Sequence, residues 1–153
     1  MKKILSVVVF IFLLLLIVSI AKVIYSGIQY KKIHPQVNAS TIEYFNNLGT
    51  GNFEGMYNLM SDNYKQKNSF EVYSDIFSEY IKTKNINNEK IKNLQIIGSE
   101  YKTGKNTEPA YFFYQGAAEY QNETVLFVIY FTEWNGQWKI SNIELLEYEE
   151  VQS

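Results

Sequence analysis

From Ile4 to Ala21 the chain runs eighteen residues without a charge, nearly all of them Leu, Ile, Val or Phe. A bilayer hydrocarbon core of about 30 Å takes roughly 20 apolar residues of helix, so the run has close to the length of a membrane span. A helix half-buried in a soluble domain shows a polar stripe, and this one has none. Lys2 and Lys3 precede the run, and Ser19-Ile20-Ala21 puts small residues where a signal peptidase reads them. Against cleavage, the run exceeds the usual signal core of about 7 to 15 residues. It also continues through "VIYSGI" to Ile28, past a Lys22 that can snorkel. Residues 1–30 are therefore expected to form a cytoplasmic tip and a retained single-pass anchor in the cell membrane, with the remainder facing outside. Cleavage between Ala21 and Lys22 would instead give a secreted protein. Lysines flank the run on both sides, so the export-like opening, rather than charge bias, sets this orientation.

Beyond the anchor about 117 residues remain, enough for one domain with a core of its own. The chain has no Cys, which removes disulfides, thiolate nucleophiles and cysteine metal sites. Residues 37–153 hold nine Lys against sixteen Asp or Glu, a net charge near −7 that disfavours nucleic acid as a partner. All fourteen basic residues are Lys, so no bidentate guanidinium clamp exists. The wealth of Lys, Asn, Ile and Tyr matches an AT-rich bacterial coding bias.

"KKIHPQV", residues 31–37, reads as a linker in which Pro35 stops any helix arriving from the membrane. Ser40-Thr-Ile-Glu43 fits a capping box opening a helix with Ile42, Phe45 and Leu48 on one side, ending at Gly49 or Gly51. Asn52 caps a second helix carrying Phe53, Met56, Tyr57 and Met60, and "SDNYKQKN" breaks the pattern. Ser69 caps a third, with a stripe of Phe70, Tyr73, Phe77, Tyr80 and Ile81. The period then changes to two: strands are expected over 91–101, from Pro109, from Glu123 and from Gln137. Trp134-Asn-Gly-Gln137 signals a type I′ hairpin, and Tyr120 to Thr124 a looser one. Helices followed by antiparallel hairpins make an α+β domain.

The succession of "IEYFNNL", a Gly break, "NFEGMYNLM", an aromatic third helix and a closing "FTEWNGQWKISNIEL" resembles the nuclear transport factor 2-like superfamily, particularly its small bacterial membrane-anchored members. The resemblance spans residues 38–146, leaves 147–153 as an acidic tail, and rests on arrangement rather than a catalytic signature. It implies a cone-shaped domain: three helices packed on a strongly curved antiparallel sheet, whose mouth holds a ligand, an active site or nothing.

Chemistry finds few tools. The one His, His34, lies in the linker and reads as solvated; HExxH, calcium-loop, phosphate-loop and GxSxG patterns are all missing. No catalytic, metal or cofactor residue is assigned. Asp62, Asp75, Glu100, Glu119 and Glu133 are the carboxylates that a pocket base would draw on, and each reads more simply as a solvated residue. Aromatics stand out instead: thirteen Tyr, ten Phe and two Trp. Tyr111, Phe113, Tyr114, Phe127, Tyr130, Trp134 and Trp138 are the candidate interface or pocket residues, because two neighbouring strands carry aromatics on both faces and only one can pack the helices. The reading is a non-enzymatic, membrane-tethered extracytoplasmic protein-interaction domain, part of or accessory to an envelope or transfer apparatus, acting on a protein partner or a second copy. The alternative is a small apolar ligand, bound or turned over in a pocket with a single carboxylate.

Overall fold

The computed structural model describes residues 2–86, 88–102, 104 and 109–146, with side chains from residue 11 onward. The expected acidic tail, 147–153, lies outside the described residues. The elements are α1 (Lys2–Thr50), α2 (Phe53–Asn58), α3 (Asp62–Lys67), α4 (Phe70–Thr83), β1 (Asn93–Lys102), β2 (Tyr111–Glu119), β3 (Thr124–Trp134) and β4 (Gln137–Leu146).

Residues 31–37 are not a linker. α1 passes through Pro35 as one helix of 49 residues, about 73 Å long at 1.5 Å per residue. A proline inside a helix removes one hydrogen bond and crowds the preceding turn, at a cost of about 3 kcal/mol. Burial offsets this: Ile33 and Val37, on either side of Pro35, sit in the domain core, and each such side chain gains about 1.5–3 kcal/mol on burial. The Tyr114 hydroxyl also donates to the His34 carbonyl at 3.3 Å. Ser40 therefore caps nothing and lies within the helix, and Ile42 is exposed. The buried stripe is Ile33, Val37, Thr41, Tyr44, Phe45 and Leu48, and its helical spacing begins before the proline.

The breaks further on follow local chemistry. Asn52 N–H donates to the Asn47 carbonyl at 2.9 Å and Gly51 N–H to that of Leu48 at 3.1 Å. With Gly51 at φ +69°, this is a Schellman ending. Asn52 then caps α2 by accepting from Gly55 N–H, and Ser69 caps α4 by accepting from Val72 N–H. The stretch expected as a break contains α3, capped by Ser61 accepting from Tyr64 N–H. On α4 the stripe narrows to Tyr73, Phe77 and Ile81; Phe70 is exposed.

The four strands form one antiparallel meander in the order β1-β2-β3-β4. The Asn135-Gly136 turn takes φ values of 50° and 76°, as a type I′ hairpin requires. On the inner face Phe112 stands opposite Phe131, Tyr114 opposite Ile129, Gly116 opposite Phe127 and Ala118 opposite Val125. α1 lies against this face, with the Phe45 ring 4.5 Å from that of Phe127. From the other side of α1, Tyr44 turns edge-on to Phe77 of α4. Met60 bridges to Ile140 and covers part of the β4 edge.

The expected cone does not form. The sheet is open and flat, and β1 and β4 are its two unjoined outer strands. Four strands at a spacing of about 4.8 Å span roughly 14 Å. That is little more than one helix with its side chains, about 10–12 Å, so the sheet covers α1 without wrapping it. The expected three-helix layer also differs, since the N-terminal apolar run and the first domain helix are one rod and α3 is additional. The nuclear transport factor 2-like assignment falls with the cone: element order was visible in the sequence, whereas curvature was not.

Candidate functional site

Successive side chains of a strand point to opposite faces, and this divides the candidate aromatics. In "YFFY", Phe112 and Tyr114 enter the core, while Tyr111 and Phe113 face outward. Phe127 is likewise in the core, so Tyr114 and Phe127 belong to packing rather than to a site. Trp138 stands on the inner face as well, half-buried and edge-on to Tyr101 at 6.2 Å and Phe112 at 6.5 Å.

The outer face brings Tyr111, Phe113 and Tyr130 together. Phe113 and Tyr130 are cross-strand partners with ring centroids 6.0 Å apart. With Ser141, Asn142 and Glu144 of β4 they line a shallow open groove of about 510 Å³. Asn142 donates to the Glu144 carboxylate at 3.3 Å, and the Ser141 hydroxyl donates to the Tyr130 carbonyl at 3.2 Å. At one end the Lys102 ammonium lies over the Tyr111 ring, 5.4 Å from its centroid, and 3.4 Å from the Glu100 carboxylate. The Tyr111 hydroxyl first, and then Glu100, hold this ammonium above the usual lysine range. The β4 contributors were missed because a bulge opposite Tyr130 and Phe131 shifts the alternation of β4, and composition does not mark it. Trp134 stands apart at the hairpin, 62% exposed.

The carboxylates are dispersed. Asp62, Asp75, Glu100 and Glu133 are exposed. Glu119, half-buried, accepts from Gln95 Nε2 at 2.7 Å and Asn93 Nδ2 at 3.4 Å. Among the described residues no Asp or Glu is buried, and no group of three His, Asp or Glu could hold a metal ion. His34 is not a solvated linker residue: it lies in α1 with its ring 5.3 Å from that of Tyr30 and 5.7 Å from that of Tyr114.

The core has its own polar architecture. Tyr73 donates to the Tyr44 hydroxyl at 3.0 Å, and Tyr120 donates to the Phe45 carbonyl at 2.6 Å. Burial pushes all three phenols well above the ordinary tyrosine range; for Tyr44 the neighbouring Tyr73 adds to it, and for Tyr120 the neighbouring Tyr80 and Glu89 do. Tyr73 and Tyr120 are structural hydrogen-bond donors, and Tyr44 an acceptor, in an apolar setting.

No family model matches the sequence, and no curated protein matches it significantly. Among solved structures, the solution structure of a SEC-C motif containing protein from Rhodopseudomonas palustris matches at 11% identity with a TM-score of 0.43. The match covers 66% of this chain and 71% of that one.

Proposed function

We propose that this chain is a membrane-tethered, extracytoplasmic domain that uses the open aromatic face of its sheet to bind a protein partner. The observation that carries this reading is the outer face itself. Tyr111, Phe113 and Tyr130 form an aromatic surface in the middle of the sheet, on the side opposite α1. Tyr and Phe on such a surface combine large apolar area with few rotatable bonds, which suits them as anchors of a protein contact. The tether is supported by α1, whose residues 11–21 expose a charge-free, largely apolar surface and whose later turns enter the domain core. A pocket with an inward carboxylate has less support. The space between helix and sheet is filled by Phe45, Phe112, Phe127 and Phe131, and no described Asp or Glu points into it.

The test is a photo-crosslinking residue in place of Phe113, activated in intact membranes. A discrete adduct heavier than the chain is expected, its mass distinguishing a second copy from a different protein. Recovery of uncrosslinked chain alone, with the domain folded and in the membrane, contradicts the reading.

A further inference from the structure

The membrane-proximal end of the domain can be located from contacts along α1. At the far end, Glu89 N–H donates to the Gly49 carbonyl and Ile91 N–H to Asn46. Further down β1, Ser99 meets the Tyr30 hydroxyl at 3.0 Å, so β1 descends toward the apolar run as α1 rises from it. Continuing down, Tyr101 lies close enough to Tyr25 and Glu133 for both to disfavour its ionised form, after burial. Across the sheet, the Phe112 ring is 5.4 Å from that of Tyr30, and Phe131 is the cross-strand partner of Phe112. Trp134 follows three residues later, about 10 Å further along the strand, which matches about seven residues of helix. The hairpin tip is thus level with the turn around Val23. A span of about 20 residues counted from Ile4 also ends at Val23.

We propose that the β3–β4 hairpin tip rests on the bilayer that α1 crosses, seating Trp134 among the lipid headgroups. The inference rests on the anchor reading of α1 and deepens it: the domain has two contacts with one membrane, a spanning helix and a hairpin. Trp134, at the end of β3, is 62% exposed, and a large amphipathic ring is favoured where one side is apolar and the other wet. Lys22 and Tyr25 of α1 stand at the same level and suit the same depth. The polar residues around Trp134 set the limit of insertion. A charged side chain such as Glu133 is costly in the hydrocarbon centre, so the tip stays at headgroup depth. The membrane boundary on α1 accordingly falls near Val23 rather than at Ile28.

The full chain and its Trp134→Phe variant, reconstituted in phosphatidylcholine/phosphatidylglycerol vesicles, provide the test by tryptophan quenching with lipids brominated near the headgroup or in mid-chain. Both proteins are expected to float with the vesicles. The parent is expected to be quenched most by the shallow bromines, and the variant, which retains Trp138, to lose that component. Equal quenching of the two floating proteins overturns the hairpin contact and leaves the anchor standing. Failure of either protein to float overturns the anchor and the hairpin contact with it.

Discussion

Raising the pH above 10 is expected to unfold the domain in a steep step, because Tyr44, Tyr73 and Tyr120 keep their protons in the folded state and lose them when exposed. Burial raises each folded-state pKa above the ordinary value near 10. The stability these groups contribute is therefore fully present below pH 10 and is lost as pH rises, since the unfolded chain sheds protons that the folded chain retains. Each group takes away about 1.4 kcal/mol per pH unit, so the three together remove about 4 kcal/mol per unit. A domain stability of about 5–15 kcal/mol is thus cancelled within roughly one to four units above pH 10. In detergent micelles, tyrosinate absorbance and the circular dichroism of the sheet would be followed together. The tyrosinate signal of Tyr44, Tyr73 and Tyr120 is expected to appear in the same cooperative step in which the fold is lost. All tyrosines ionising in one smooth titration near pH 10, with the dichroism unchanged, would refute the reasoning.

Packing and hydrogen bonding give three further expectations. Gly116→Ala puts a methyl against the Gln95 carbonyl across the strand pair and 3.0 Å from the Phe127 ring, and is expected to cost about 1–3 kcal/mol in denaturant unfolding. Tyr120→Phe removes the donor to the Phe45 carbonyl and should lower stability by about 1 kcal/mol in the same assay. Pro35→Ala restores a backbone donor inside α1 and should raise the melting temperature through a gain of up to about 3 kcal/mol; a lower melting temperature would show that the helix does not pass through position 35.

What was legible in the sequence is what short-range chemistry writes there. Asn135-Gly136 specified its turn, Gly51 ended a helix through its left-handed backbone, and Asn52 and Ser69 capped the helices that follow them. Pro35 misled because a local rule met a tertiary override: Ile33 and Val37 bury enough surface to keep the helix intact. The Ile33, Val37, Thr41 and Leu48 spacing carried that information and crosses the proline. Alternation within "YFFY" was enough to separate Tyr111 and Phe113 from Phe112 and Tyr114, but not to say which pair faced the core. The flatness of the four-stranded sheet, and the bulge that brings Asn142 and Glu144 beside Tyr130, leave no compositional trace.

A chain without cysteine permits the most direct test of the tether, because single introduced thiols can be labelled without background. In intact cells treated with a membrane-impermeant maleimide, Asn122→Cys, exposed in the β2–β3 turn far from the N-terminal apolar run, is expected to react. Leu13→Cys is expected to stay unlabelled until detergent is added. Rapid labelling of Leu13→Cys in intact cells, or recovery of the full chain in the soluble fraction, would contradict a domain held to the bilayer by α1.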